Sequence, residues 1–513
     1  MKKYKFYLAA LLFSGIYFTA CKKNQPLSPA SNPDAVPTTG TALDKLKDSV
    51  YLFTQEDNLW YDALPGYGTF KPRSFTGKTD LEALQKEVDA LSQYKINPAT
   101  SKPYEYEAAY PGEAKYSFID QGQTATSLGG TKGDYGFSPT YNTVSDLRVM
   151  YVYPGSPADK AGIMRGYQIT AVAGVSSLTL TGTSDANYTA LVNALFNSTT
   201  ITMTLQRPNN TTFTTTLNTA SYTVNPVLKS KVIDLGNGKK MGYIVFNTFT
   251  DLNKNAKAYL DAAFTSFTAQ GVSELVVDLR YNGGGSVETA EYLSNLIVPT
   301  AKTNTLMYTT YFNDKLQNDK YPLFAKKLGI DITKYPGEFK PANWTEKFAK
   351  VGTLNINRVF FIVTGSTASA SELTINNLIP EMNVQLIGTT SYGKPVGFYG
   401  IQIGAYQYYT PEFETKNSAG LGGYYAGMTP GSTTYPGVQA NDDVTHDFGD
   451  TSEGLLSRAI NFSVKGTYSL PASEVKVLNA SKTGTALTED QLNKVSRDFS
   501  RNEVNQMILN RKK

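Results

Sequence analysis

Between residues 223 and 465, short runs of mainly apolar residues alternate with segments of helical periodicity. The clearest runs are 241–246, 274–279 and 359–363, and a helical pattern lies at 252–268. Runs of this length fit buried strands better than helices. Strands and helices that bury apolar faces must pack as layers, so the pattern predicts a mixed α/β core over 223–465.

The chain is too long for one hydrophobic core. It has 513 residues, of which 41% are hydrophobic and 18% charged, as in ordinary globular proteins. The 48 basic and 44 acidic residues leave a net charge of +4. This near balance gives no indication of nucleic-acid binding.

Cysteine and histidine occur once each, as Cys21 and His446. An intrachain disulfide is therefore impossible, and a zinc site built from His and Cys is close to excluded. A Ser-His-Asp protease would have to use His446, and a cysteine protease would have to use Cys21. We expect no metal and no cofactor.

The first 21 residues have the pattern of an export signal. A basic start at 1–5 precedes an apolar run at 6–18, and Thr19-Ala20-Cys21 follows. The small residues before Cys21 resemble the lipobox of bacterial lipoproteins, although Phe18 stands where Leu is usual. We therefore expect a signal peptide at 1–20, lipidation of Cys21 and a flexible tether at 21–42. A plain secretory signal is the alternative.

The remaining chain divides into four further regions. Apolar residues at helical spacing and a capping box at 79–82 predict an N-terminal helical domain at 43–128. Residues 129–222 are β-rich, 223–465 form the α/β core, and 466–513 form a C-terminal tail. The tail carries a predicted helix with Leu492, Val495 and Phe499 on one face. The expected fold class is thus α+β and multidomain.

Residues 129–222 resemble a PDZ domain of the bacterial protease type. The resemblance rests on the loop Tyr135-Gly136-Phe137 and on the glycine-rich segment 154–174. It implies that the 135–137 loop offers backbone N–H groups to the carboxylate of a peptide C-terminus, while the peptide adds to the sheet edge as a strand. The alternative is a small β-domain with turn glycines.

Three segments of the core could carry chemistry. The apolar run 359–363 leads through small residues to Ser369 and a helix start, where helix N–H groups can stabilise an oxyanion. Lys394 follows Gly393 after another strand, and it could act as a base if burial lowered its pKa. A glycine loop at 283–285 follows the strand 274–279, without the pattern of a phosphate-binding loop. Taken singly, Ser369 would be an N-cap and Lys394 a solvated charge.

Together these segments resemble the C-terminal processing peptidases, or tail-specific proteases, which use a Ser-Lys dyad and usually contain a PDZ domain. The matching motifs, separated by family-like spacing, are Asp278-Leu279-Arg280-Tyr281-Asn282-Gly283-Gly284-Gly285, Thr367-Ala368-Ser369-Ala370-Ser371-Glu372 and Tyr392-Gly393-Lys394. The resemblance implies that Ser369 is the nucleophile and Lys394 the general base. It also implies an oxyanion hole from the N–H of Ala370 and a glycine of the 283–285 loop, Gly284 foremost and Gly285 beside it.

One position departs from the family pattern. Many members have Gln four residues after the lysine, but this chain has Phe398, and Gln402 lies eight residues after it. The third catalytic residue is therefore unassigned. We expect an exported, lipid-anchored endopeptidase of the cell envelope that binds protein C-termini, or a secreted one. The alternative is a weakened or inactive member that acts as a peptide-binding protein.

Overall fold

The structure is a computed structural model that describes residues 32, 34–181, 186–473, 475, 484–488, 491–492, 495, 498–499 and 506–509. The expected signal peptide and Cys21 lie outside the described residues. Among the helices of the described part, none has the length and apolarity that a membrane span requires.

The N-terminal region combines helices with short strands. Its elements are α1 (Ala42–Asp57), α2 (Tyr67–Phe70), α3 (Asp80–Ser92), β1 (Ile96–Asn97), β2 (Lys102–Pro103), β3 (Phe118–Asp120), α4 (Gln123–Leu128) and β4 (Thr131–Lys132). Thr79 caps α3 by accepting a hydrogen bond from the Glu82 N–H, as the capping pattern predicts.

These helices have no hydrophobic core of their own. Val50 of α1 and Leu84 of α3 are fully buried in the same cluster as Leu260 and Phe361 of the α/β core. The short strand β3 also pairs with a strand of that core. The expected boundary at residue 128 therefore does not coincide with a change of hydrophobic core.

A five-stranded antiparallel sheet follows. Its region contains β5 (Phe137–Thr143), β6 (Asp146–Val152), α5 (Pro157–Lys160), β7 (Gln168–Val172), α6 (Ala186–Phe196), β8 (Thr200–Gln206), β9 (Thr212–Asn218) and β10 (Tyr222–Thr223). The strand order is β5-β6-β7-β8-β9, so β5 is an edge strand. This sheet and α6 bury a separate apolar cluster that includes Val149, Leu191 and Met203.

The α/β core contains a six-stranded sheet together with helices and further short strands. Its elements are β11 (Val227–Gly236), β12 (Lys239–Phe246), α7 (Lys257–Ala269), β13 (Glu274–Asp278), β14 (Gly284–Ser286), α8 (Val287–Ile297), β15 (Leu306–Phe312), α9 (Asp314–Gln317), α10 (Pro322–Leu328), β16 (Thr345–Lys347), β17 (Arg358–Val363), α11 (Ala370–Leu378), β18 (Asn383–Gly388), β19 (Val396–Gly397), β20 (Ile401–Ile403), β21 (Tyr406–Tyr409), β22 (Phe413–Asn417), β23 (Gly437–Gln439) and α12 (Leu456–Lys465).

The sheet order is β11-β12-β13-β17-β18-β23, and every pair except β11–β12 is parallel. Alternate residues of β17 face opposite layers. Phe361 joins the large cluster that includes Leu260 of α7, and Phe360 joins the cluster that includes Leu456 of α12. Burial on both faces explains why residues 359–363 are apolar without alternation. The last described strand, β24 (Gln506–Ile508), pairs with β14.

A buried arginine joins the end of β13 to the loop before α12. Arg280 contacts Asp278 at 2.6 Å, Glu453 at 2.8 Å and Asp442 at 2.6 Å, and its side chain is fully buried. Arg165, from the five-stranded region, also contacts Asp442. Burial alone would raise the pKa of Asp442, but the two guanidinium groups outweigh it and hold that pKa below its usual range.

We therefore predict that Arg280→Ala strongly destabilises the core. It would leave the carboxylates of Asp278 and Glu453 buried without their cation, a change that lowers the free energy of unfolding by about 3–5 kcal/mol. The measurement is urea denaturation followed by circular dichroism. The matched control is Lys257→Ala in the exposed pair with Asp261, for which we expect less than about 1 kcal/mol. An equal loss of unfolding free energy in the two variants would contradict the prediction.

Candidate active site

The three segments singled out in the sequence leave the carboxyl ends of three neighbouring parallel strands. Residues 279–286 follow β13, residues 364–369 follow β17, and residues 389–394 follow β18. The carboxyl ends of parallel strands meet at one edge of a sheet, where open α/β folds place their sites. The fold therefore brings the predicted site residues into one region.

Hydrogen bonds between these loops hold them together. Thr367 Oγ1 donates to the Leu279 carbonyl at 2.8 Å, and the Ala368 N–H donates to the Asn282 carbonyl at 3.0 Å. The Tyr392 N–H donates to the Thr367 carbonyl at 2.9 Å. The middle loop is thus bonded to both of its neighbours.

Ser369 stands at the start of α11 and is fully buried. Its φ of 64° and ψ of −113° are a conformation that non-glycine residues rarely adopt. Its Oγ has no hydrogen-bond partner among the described residues. The side chain therefore does not serve as an N-cap, and it is not hydrogen-bonded to Lys394 in this conformation. Catalytic hydrogen bonds are often formed only when substrate binds.

Lys394 is also fully buried. Burial disfavours the ammonium form and lowers the pKa of Lys394 well below its usual range, although Glu105 and Glu372 oppose that shift. Its Nζ lies 3.8 Å from the centroid of the Phe398 ring, a cation–π distance. Gln402 is exposed and donates to the Gly404 carbonyl, so it does not take the place of the family glutamine.

One buried carboxylate connects the serine and the lysine. Glu372 Oε2 accepts hydrogen bonds from the backbone N–H groups of Ser369 and Lys394, both at 2.9 Å, and Oε1 accepts from Gly393 N at 2.8 Å and Ser391 Oγ at 2.6 Å. Burial raises the pKa of Glu372, and these four donors favour its ionised form. Glu372 therefore fixes both backbones relative to each other. The sequence placed it in a motif, at the capping position three residues after Ser369, without revealing this role.

The N-terminal region supports the lysine loop from the other side. The Tyr116 hydroxyl donates to the Gly393 carbonyl at 2.5 Å, and Lys115 Nζ donates to the Tyr392 carbonyl at 3.1 Å. The next residue, Ser117, donates from its N–H and its hydroxyl to the buried Glu105. No sequence pattern indicates the contacts with the lysine loop, because they join residues 277 positions apart.

The predicted oxyanion donors differ in availability. The Ala370 N–H, in the first turn of α11, has no acceptor among the hydrogen bonds of the described residues. The Gly284 N–H instead donates to Asn282 Oδ1 at 2.8 Å, so the foremost expected donor is occupied in this conformation. Gly285 has a φ of 138°, and a Cβ there would lie 2.1 Å from the Phe249 carbonyl oxygen. Only glycine fits that close approach.

A cavity of about 890 Å³ opens beside these loops. Gly283, Ser366 and Tyr392 line it from the α/β core, and residues 138–141 of the edge strand β5 line it from the five-stranded region. The predicted peptide-binding strand and the predicted catalytic loops therefore face one common space. No cluster of three or more metal-ligating side chains is found among the described residues.

The 135–137 loop lies directly before β5. Gly136 has a φ of 82°, and a Cβ would lie 2.0 Å from Ser156, so glycine is required. Its N–H donates to Asp134 Oδ1 at 2.8 Å, so this donor is not open to a carboxylate in this conformation. The Tyr135 hydroxyl donates to the Ser198 carbonyl, and Phe137 begins the strand.

His446 offers no support for a Ser-His-Asp site. Its Nδ1 lies 2.6 Å from Asp443 Oδ2, and this carboxylate raises the pKa of His446. The serine hydroxyl has no partner among the described residues, so His446 is not bonded to it.

Several known proteins are similar to this chain. Residues 240–406 match the family described as peptidase family S41. The chain is 27% identical over 289 residues to a carboxyl-terminal-processing protease of Picosynechococcus sp., covering 54% of this chain and 60% of that protein. It is 33% identical over 200 residues to a chloroplastic C-terminal processing peptidase of Tetradesmus obliquus, covering 35% and 41%. The alignments thus span about two to three fifths of the length of these relatives.

A solved structure supports the fold. The structure of an S41 protease from Bacteroides fragilis matches with a TM-score of 0.55 at 23% identity, covering 82% of this chain and 97% of that one. The mixed α/β, multidomain architecture expected from the sequence is therefore confirmed. Residues 240–406 are thus similar to peptidase family S41, and the known proteins that the chain resembles include carboxyl-terminal-processing proteases.

Proposed function

We propose that this chain is an exported serine endopeptidase of the C-terminal processing type, with Ser369 as nucleophile and Lys394 as general base. The observation that carries the proposal is the position of Glu372, whose carboxylate binds the backbone of both residues. The burial that lowers the Lys394 pKa favours the neutral amine that a base requires.

The reaction proceeds through an acyl-enzyme. Neutral Lys394 accepts the proton of Ser369 Oγ as the oxygen attacks the peptide carbonyl. The N–H of Ala370 and a glycine N–H of the 283–285 loop stabilise the oxyanion, once Gly284 has released Asn282. The Lys394 ammonium then protonates the leaving amine, and water hydrolyses the acyl group with Lys394 again as base.

The five-stranded region supplies recognition in this proposal. As a PDZ-like domain, it would bind the C-terminus of a protein at the 135–137 loop and along the edge strand β5. The shared cavity supports this route, because β5 and Gly283 both line it. The substrates are thus proteins or peptides with accessible C-termini.

A second function is a peptide-binding protein with weak or no cleavage. Phe398 favours this second function. Its ring contacts the Lys394 amine, and many members of the family have a hydrogen-bonding glutamine at this position. An aromatic face favours the ammonium form and so opposes its use as a base.

Ser369→Ala and Lys394→Met separate these two functions. For the peptidase, we expect each to reduce kcat for cleavage of unfolded casein on the order of 10⁶-fold, since either change removes a group that acts in every step. Fluorescent release from labelled casein is the measurement. The exposed residues Ser273 and Lys254 give matched controls, Ser273→Ala and Lys254→Met, which should retain full activity. Wild-type protein without cleavage would support the binding protein instead.

The pH profile tests the role of Lys394. Activity requires the neutral amine, so kcat/KM should rise with pH through a pKa well below the usual lysine value. Glu105 favours the ammonium and opposes that lowering. Glu105→Gln should therefore move the rising limb to still lower pH. Glu82→Gln, on the surface of α3, is the control, and a shift to higher pH in Glu105→Gln would exclude this arrangement.

The proposed location is the cell envelope, through a lipid on Cys21. We expect Cys21→Ser to move the protein from the membrane fraction to the soluble fraction, because the acyl chains would be lost. Immunoblotting of fractionated cells and mass spectrometry of the mature N-terminus measure the change. Unchanged fractionation, with no acyl mass on wild-type protein, would support a plain secretory signal.

A further inference from the structure

The segment at 506–509 is bound as an extended strand beside the catalytic loops. β24 pairs in parallel with β14, with Gly285 opposite Met507. On its other side, the Phe398 N–H donates to the Met507 carbonyl at 2.8 Å, and the Leu509 N–H donates to the Phe398 carbonyl at 3.0 Å. The backbone of the segment is therefore hydrogen-bonded on both edges, as a bound peptide is in β-augmentation.

The side chains of this segment fill apolar sites. Met507 is fully buried, and Ile508 and Leu509 are 5% and 9% exposed. Ile508 packs in a cluster with Tyr116 and Phe398. Phe398 is the residue whose ring contacts the Lys394 amine. The segment and the proposed base therefore contact the same residue.

A second part of the tail covers the five-stranded region. The ring of Phe499 lies 6.1 Å from that of Tyr141 in β5, and 6.2 Å and 5.8 Å from those of Tyr188 and Phe196 in α6. The Tyr188 hydroxyl also donates to Asp498 Oδ2 at 3.1 Å. The tail therefore contacts both places at which the proposed function needs an external peptide.

The composition of the tail suits a ligand that can leave. Met507, Ile508 and Leu509 are three apolar residues between polar neighbours, with Asn505-Gln506 before them and Asn510-Arg511-Lys512-Lys513 after them. Among the described residues of the tail at 506–509, release exposes these three large apolar side chains. The strand is also bonded to Gly284–Ser286, the loop from which the proposed function takes one of its oxyanion donors.

We propose that the groove between β14 and Phe398 is a binding cleft for extended peptides with apolar side chains, and that residues 506–509 occupy it as a built-in competitor. This inference rests on the proposed function, and it specifies the class of peptide that the site accepts. An external substrate binds only after the segment has left, so the free cleft is present in a fraction of the molecules.

The test releases the segment in the full-length chain. In Met507→Lys/Ile508→Asp, charged side chains replace the two apolar ones, and the segment should leave the cleft. If the segment is bound nine-tenths of the time, KM for a peptide with apolar residues should fall about tenfold, with kcat unchanged. The matched control is Val464→Asp, at an exposed valine of α12, which should leave KM as in wild type.

A synthetic peptide provides the converse measurement. The peptide of residues 500–513 should inhibit the double variant competitively, and a version with serine at 507–509 should not. Equal inhibition by both peptides, or by neither, would overturn the proposal. If mass spectrometry shows that the wild type removes its own 506–513 segment while Ser369→Ala keeps it, the segment is a substrate and the stable competitor is excluded.

Binding without cleavage separates this inference from the proposed function. In a Ser369→Ala background, fluorescence anisotropy should show that a labelled apolar peptide binds about tenfold more tightly after Met507→Lys/Ile508→Asp. This result, together with a wild-type chain that never cleaves, would refute the peptidase and keep the inference. Normal cleavage with no gain in binding or KM would refute the inference alone.

The double variant could also lose its fold, so a mild change completes the design. Met507→Ala keeps the apolar character of the segment and should still lower KM. In wild-type protein, saturation with the labelled peptide should speed hydrogen exchange at the Leu509 N–H, because the displaced segment loses its hydrogen bond to the Phe398 carbonyl. Slow exchange of Leu509 that does not change with peptide, together with a folded Met507→Ala variant that has the wild-type KM, would make the segment a permanent part of the core and overturn the proposal.

Discussion

The proposed site depends on one buried carboxylate. Glu372 accepts four hydrogen bonds, two from the backbones of Ser369 and Lys394 and two from Ser391 and Gly393. A carboxylate buried without such donors would be protonated or would destabilise the fold. With these four donors, the Glu372 carboxylate holds the loops after β17 and β18 at a fixed distance from each other. The serine and lysine are thus positioned by their main chains, before their side chains interact.

The surroundings of Lys394 come from three distant parts of the chain. Tyr116 holds its loop from the N-terminal region, Phe398 contacts its amine, and the strand at 506–508 bonds to Phe398 in turn. The amine is therefore enclosed by groups that contact both the N-terminal region and the tail.

The sequence predicted the layered core and the convergence of the three loops, because apolar runs such as 359–363 and the Ser369 motif are local signals. It did not predict that the N-terminal helices share this core. Apolar residues at helical spacing, such as Val50 and Leu84, fit a helical domain with its own core equally well. The strand at 506–508 was missed for a different reason. Three apolar residues carry no periodicity, and the partner of Met507 lies more than 200 positions away. The hydrogen bond that occupies the Gly284 N–H depends on the rotamer of Asn282, which no sequence pattern specifies.

The backbone of Ser369 has one more consequence. Its φ of 64° is a region that glycine adopts freely and serine adopts at an energetic penalty of about 1–3 kcal/mol. A glycine at this position would make the fold more stable and would abolish the nucleophile. Selection for stability alone would therefore act against the hydroxyl. A serine in this conformation is what the proposed nucleophile would require, because chemistry and not folding would then determine the residue.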